Sequence, residues 1–315
     1  MFLVLPIAFV VKLVNPSFLT IDDVAVPVHY SIFHHQPSSI AGTMTSRRDS
    51  CQYVVCLTVS LVSFLLSATL QCDALMYTNL SPLEAVLLQP RLERIQTAVE
   101  RKYDSVINDK GSATRSSCRT FIFPGAGGVD PLVEELSLKL DGSLVIDWVE
   151  HRGSILTAAY DAEAVGEAIA TLLLREQDTN QVNFHFVGIS VGAFGANAAA
   201  TYVCRCLGGT NKVRLTLLDP FCSRGVFGPS YGKENFGKYA TSSLQILNTD
   251  DPVPTTNDPL PYCYCIDVTE APERRSFVPL PGDSMHSWPV AYFARHFQEP
   301  PGTLQKGSIV KVGDS

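Results

Sequence analysis

Residues 188–192 read Gly-Ile-Ser-Val-Gly, and they stand where a short apolar run, 182–187, gives way to an alanine-rich stretch of helical character. A strand-to-helix junction flanked by two glycines can turn more sharply than side chains allow, which lifts the serine hydroxyl clear of its surroundings. Ser190 is therefore the candidate nucleophile. A hydroxyl attacks poorly until a base takes its proton, and the order serine, acid, histidine puts that base later in the chain. His286 qualifies, in the loop Gly282-Asp283-Ser284-Met285-His286 between an apolar segment at 263–268 and a helical pattern at 290–295. His296 falls inside that pattern and reads as a surface residue, while His151 and His185 precede or accompany the serine's strand and read as structural.

An imidazolium formed by such a base is stabilised by a carboxylate that also fixes its tautomer. Two strand ends offer one: Asp219 after the run 213–218, and the pair Asp250 and Asp251 after 244–247. Each is followed at once by proline, so a plain strand-end turn is the rival explanation for either. The oxyanion of acyl transfer needs preset backbone amides. Val191, next after the serine, supplies one, and Ala126 in the loop Pro124-Gly125-Ala126-Gly127-Gly128 supplies the other. That loop is no phosphate cradle, because no third glycine arrives at dinucleotide spacing and no Lys-Ser/Thr follows. No cofactor is called for. The pairs Cys204-Arg205-Cys206 and Cys263-Tyr264-Cys265 are spaced more tightly than zinc ligands and lack a nearby histidine, so no metal is expected.

These residues need a scaffold that brings distant loops to one edge. Ser81-Pro82-Leu83-Glu84 reads as a capping box opening a helix toward Tyr103. After a polar linker at 109–117, strands are expected at 119–123, 144–148, 182–187, 213–218 and 244–247, with an amphipathic helix at 158–174 and another reaching 203. Strands alternating with helices imply an α/β fold, a mostly parallel sheet with helices on both faces and chemistry at the strands' carboxyl ends.

The 315 residues suffice for one large core, and a formal charge of -7 offers no basic face for nucleic acid. The apolar run 53–70, preceded by Met44 and Arg47-Arg48 and followed by Cys72-Asp73-Ala74, has the layout of a signal peptide. At roughly 18 residues it is also long enough for an uncleaved anchor. Residues 1–43 are accordingly read as an upstream extension, 44–74 as signal peptide or signal anchor, and 75–315 as the catalytic domain of a secreted or membrane-anchored protein. Of nine cysteines, six fall after residue 74, an even number that suits disulfides in an oxidising compartment. Asn79-Leu80-Ser81 is a glycosylation sequon.

From about residue 121 to 297 the chain resembles the animal-type lipase family that includes pancreatic lipase and phospholipase A1 relatives. The resemblance rests on Ile122-Phe123-Pro124-Gly125-Ala126, on Ile146-Asp147-Trp148, on Val187-Gly188-Ile189-Ser190-Val191-Gly192-Ala193 and on Thr216-Leu217-Leu218-Asp219-Pro220. The last is similar to the family's Gly-Leu-Asp-Pro segment, whose aspartate is the triad acid, so the resemblance implies Asp219 rather than Asp250 or Asp251. It also implies an α/β-hydrolase fold, hydrolysis of an acyl-ester or lipid substrate, and contact with a membrane or lipid interface. The chain departs from the family at Ile189, where a histidine is usual, and at Pro124-Gly125, where His-Gly is usual. Between Asp251 and His286 there is room for a modest lid only. Two other functions stay open: an inactive secreted binding protein of the same fold, and a thioesterase or serine peptidase using the same triad.

Overall fold

The computed structural model of the chain describes residues 80–113, 118–154, 157–175, 182–207, 212–225, 228–251, 253, 257–299 and 305–313, with the strands at 18–21 and 24–27. Two compact units are Met1–Thr58 and Val59–Ser315. In the first, β1 (Phe18–Ile21) and β2 (Val24–Pro27) pair antiparallel. The expected boundaries at 43 and 74, the apolar run 53–70 and the sequon at Asn79 lie outside the described residues. Among the described residues no helix is long and apolar enough to cross a membrane.

The second unit is an α/β structure around one sheet. Its strands are β3 (Cys118–Phe123), β4 (Leu144–Val145), β5 (Asn183–Ile189), β6 (Val213–Leu218), β7 (Ser242–Leu247), β8 (Tyr264–Asp267) and β9 (Ile309–Lys311). They lie in the order β4-β3-β5-β6-β7-β8-β9, and every neighbouring pair is parallel. The helices are α1 (Pro82–Ala113), α2 (Pro131–Lys139), α3 (Ala158–Arg175), α4 (Gly192–Cys206), α5 (Tyr231–Asn235) and α6 (Trp288–Arg295).

Parallel strands joined by crossovers bury both faces, so successive residues must both be apolar. Phe121, Phe123, Phe184, Phe186, Leu215 and Leu217 point to one side, into a core shared with α1, α3 and α4. Ile122, Val187, Ile189, Leu218, Leu244 and Ile246 point to the other, against α2 and α6. Each of these side chains contributes about 1.5–3 kcal/mol by leaving water. The chain steps from β3 outward to β4 and then returns to the far side of β3 for β5, so the connections diverge between β3 and β5. A crevice opens at the carboxyl ends of strands where that happens, and the loops after β3 and β5 are the glycine-rich loop and the Ser190 turn.

Several segments differ from the sequence expectation. The second strand stops at Val145: Trp148 leaves the ladder, its indole Nε1 donates to Pro124 O at 2.9 Å, and a single helical turn follows at Val149–His151. The opening helix has its capping box, with Ser81 N donating to Glu84 Oε2 at 2.7 Å, but continues past Tyr103 to Ala113 because Ile107 still reaches the core. Beyond residue 297, β9 adds an edge strand beside β8. The disulfide expectation is not met among the described residues: no bond joins Cys118, Cys204, Cys206, Cys222, Cys263 or Cys265, and the last three are buried.

Candidate active site

Ser190 follows β5 directly and has φ 51, a left-handed backbone that non-glycine residues rarely adopt. The neighbouring glycines make it sterically feasible. A Cβ on Gly188 would sit 2.6 Å from Ala193 Cα, and one on Gly192 would sit 2.3 Å from the carbonyl oxygens of both Phe123 and Pro124. The turn is tied to the adjacent strand end, since Ser190 N donates to Leu218 O at 3.1 Å and Phe221 N donates to Ser190 O at 3.1 Å. Asp219 lies between those two anchors, itself at φ 45, so Ser190 and Asp219 occupy equivalent places on neighbouring strands.

The glycine-rich loop lies against the serine, where a Cβ on Gly125 would come 3.3 Å from Ser190 Cβ. Gly128 N donates to Gly125 O at 3.0 Å and closes a turn with exposed Ala126 and Gly127 at its tip. The Trp148 indole holds Pro124 O from behind. Among the described residues, no hydrogen bond to a protein acceptor takes up the amide of Ala126 or of Val191. Both are thus available to an anion beside Ser190, and the Val191 amide belongs to the first turn of α4, where the helix dipole also favours negative charge.

His286 enters from the other side, on the turn Met285–Ser287, whose amino end Ser284 caps by accepting from His286 N at 3.1 Å. Its Nδ1 meets two carboxylates: Asp219 Oδ2 at 2.9 Å and Asp251 Oδ2 at 2.5 Å. Asp219 is fully buried and Asp251 nearly so, while the imidazole keeps partial exposure. Asn248, at the end of β7, binds the parts together. Its amide N donates to Asp219 Oδ1 at 3.2 Å and its side-chain Nδ2 donates to Met285 O at 3.0 Å. Among the described residues no hydrogen bond joins Ser190 Oγ to His286. One donor atom of each of Asp219, Asp251 and His286 lies within 4.8 Å of the others, a spacing a cation would also accept, but hydrogen bonds already satisfy the three.

Burial pushes the Asp219 carboxyl up, to about 7, against the hydrogen bond from His286, and the facing Asp251 adds to the rise. Burial works the same way on Asp251, but hydrogen bonds with His286, Asp219 and Val253 N outweigh it and hold that group down at about 2. Burial would lower His286, yet its bonds to Asp219 and Asp251 carry it up to about 9. Two carboxyl groups on one imidazole nitrogen share these changes: the acid pair holds a proton more readily than two separate carboxyls would, and the imidazole holds its own above the usual range.

Of the acids expected from sequence, Asp219 and Asp251 therefore both reach the imidazole, and Asp250 does not. Asp250 is half exposed and paired with Arg274, which withdraws it from His286 as a candidate acid. His185 is buried and bonded to Thr216 Oγ1 at 2.9 Å, and burial drops its pKa to about 3. His151 lies beside Glu150, and exposed His296 packs on Trp288 and Tyr292. Sequence reasoning passed over Asn248 and Trp148 as fasteners. The signal for Asn248 was a polar residue closing an apolar strand just before the Thr249-Asp250-Asp251 turn. A polar cleft lined by Glu84, Arg224, Pro229, Tyr231 and Glu234 involves none of these groups. Neither a protein-family model nor a curated protein matches the chain.

Proposed function

We propose that this protein is a serine ester hydrolase of the α/β-hydrolase fold, similar to the animal-type lipases, with Ser190 as nucleophile and His286 as base. The observation that carries the reading is Ser190 at φ 51 on a strand-to-helix turn, one strand from a carboxylate that holds the imidazole of His286. The sheet order supports it too, with the glycine-rich loop following the strand next to the serine's own.

In the reaction, Ser190 Oγ attacks the ester carbonyl carbon while His286 Nε2 takes the hydroxyl proton. The carbonyl oxygen becomes an oxyanion held by the amides of Ala126 and Val191. Collapse of that intermediate expels the alcohol, which receives the proton from His286 Nε2. Water then attacks the acyl-enzyme, giving its proton to the same nitrogen, and the acid leaves as Ser190 recovers its hydrogen. The base works only when neutral, so turnover rises with pH through the imidazole's elevated pKa.

A fluorophosphonate probe tests this, because it bonds to an activated serine alone. Labelling of the wild type and none of Ser190→Ala, with unchanged thermal melting, is expected. An unlabelled wild type across pH 6–10 points instead to a binding protein on the same fold.

A further inference from the structure

One imidazole nitrogen carries one hydrogen, yet two carboxyl groups contact Nδ1 of His286, Asp219 Oδ2 at 2.9 Å and Asp251 Oδ2 at 2.5 Å. Neither is free to turn away. Asp219 Oδ1 accepts from Asn248 N at 3.2 Å, and Asp251 Oδ1 accepts from Val253 N at 3.0 Å, so each side chain is clamped with its second oxygen toward the ring. Asp251 is held further by its own carbonyl, which accepts from Asn257 Nδ2 at 3.0 Å. The two acids come from neighbouring strands, one from the left-handed residue ending β6 and the other from the turn after β7. Both are almost wholly buried, and like charges this close in a dry site cannot both stay ionised. The other charges nearby are directed elsewhere: Asp250 faces Arg274, and exposed Asp283 accepts from Ser284 N.

We propose that Asp219 and Asp251 form one positioning unit, a carboxyl and a carboxylate sharing a proton, that holds the His286 ring and sets how strongly its Nε2 accepts the Ser190 proton. For its effect on rate the inference rests on the hydrolase reading above; for its effect on the imidazole it does not. The resulting site differs from one with a single orienting acid. Replacing either acid by its amide removes the shared proton but leaves one carboxylate on Nδ1, so the ring stays held and the imidazolium keeps a single counter-charge.

The test uses the full chain with Asp219→Asn, Asp251→Asn and the double substitution, all isosteric, and asparagine tolerates the left-handed backbone at 219. His286 is titrated by NMR, and the rate of Ser190 labelling by fluorophosphonate is followed against pH. Each single variant keeps one carboxylate on Nδ1 and its imidazole pKa should stay within about one unit of wild type, whereas the double should fall toward the reference near 6.5 for a free histidine. A base acts when neutral, so the rise in labelling of the double should move to lower pH by the same amount. Plateau rates of the singles should stay within ~10-fold of wild type, while the double should lose on the order of 10³-fold. In the wild type, carboxyl NMR should show one of the two acids titrating well above the ordinary value near 4, a result that needs no variant to fold. The proposal is overturned if either single variant equals the double in titration and rate, if the double still titrates as the wild type does, or if both wild-type carboxyls titrate below about 4. Shifted titrations in a protein that no fluorophosphonate labels would uphold the acid pair and remove the hydrolase reading.

Discussion

Gly192 has no space for a side chain. A methyl group there would press into two carbonyl oxygens at the end of β3, each 2.3 Å from the ideal Cβ, and neither oxygen can retreat without breaking the loop that faces Ser190. Gly127, at the tip of that loop, has nothing within 4 Å of its own ideal Cβ. The two glycines therefore look alike in sequence and differ in load. Gly192→Ala is expected to destabilise the protein by about 3 kcal/mol, as overpacking against backbone does, and Gly127→Ala by little. Urea unfolding of both variants measures the difference, and equal midpoints would show that the turn relaxes around the added methyl group. At the same scale, the strand-to-helix turn at Ser190 and the glycine-rich loop could be placed from sequence, because turns this tight dictate glycine. The double acid could not be read. Whether Asp250 or Asp251 turns inward depends on Arg274 capturing one of them, and that pairing spans twenty-four residues.

Between elements, the serine's position is set by the crossing of α3 and α4, since α4 starts immediately after the turn. The two helices touch backbone to backbone: a Cβ on Gly166 would lie 2.1 Å from Gly195 O, and one on Gly195 would lie 2.8 Å from Ala162 O. Ala193, Ala196, Ala199 and Ala200 keep the buried face of α4 equally shallow. Gly166→Ala should force the helices apart, and a loss of several kcal/mol together with slower labelling of Ser190 is expected. Chemical denaturation and probe kinetics check it; a stable variant with wild-type labelling would mean that the turn does not depend on this crossing. The long elements were legible because their cores impose a period, apolar on successive residues in the central strands and on one side of α3. Short elements were read poorly. β4 was expected but stops after two residues in the sheet, β9 has three and all are exposed, and the short α2, capped by Asp130 on Val133 N at 2.9 Å, was not foreseen. The two edge strands bury too little surface to stamp a pattern on the sequence, and α2 is only nine residues long.

At the scale of the whole molecule, buried titratable groups make stability depend on pH, and Glu167 offers the clearest case. It sits on α3 under α1, 5% exposed, with Oε2 accepting from Gln96 Nε2 at 2.7 Å, and burial lifts its pKa to about 8 against that hydrogen bond. A raised carboxyl pKa means that the folded state holds a proton the unfolded chain gives up. Its stabilisation is therefore full below the unfolded value near 4.5 and is lost as pH rises to about 8. Other groups act in partly separate windows. His185, lowered to about 3 by burial, works in the opposite sense, its contribution full above about 6.5 and lost as pH falls toward about 3, whereas Asp219 and His286, both raised, add to the alkaline loss up to about 7 and 9. Between pH 6.5 and 8 the Glu167 contribution amounts to nearly one proton, or about 1.4 kcal/mol per pH unit. With ~2–4 °C of melting temperature per kcal/mol for a domain of this size, the wild type should melt several degrees lower at pH 8 than at pH 6.5. Glu167→Gln keeps the shape and has no proton to lose, so its melting curve should fall less steeply over that window and lie above the wild type's at pH 8. Calorimetry of the two proteins at half-unit steps measures the slopes. Parallel curves would place an ionised Glu167 in the fold, held by a cation, and Arg205, which lines the same small cavity, would be the residue to substitute next.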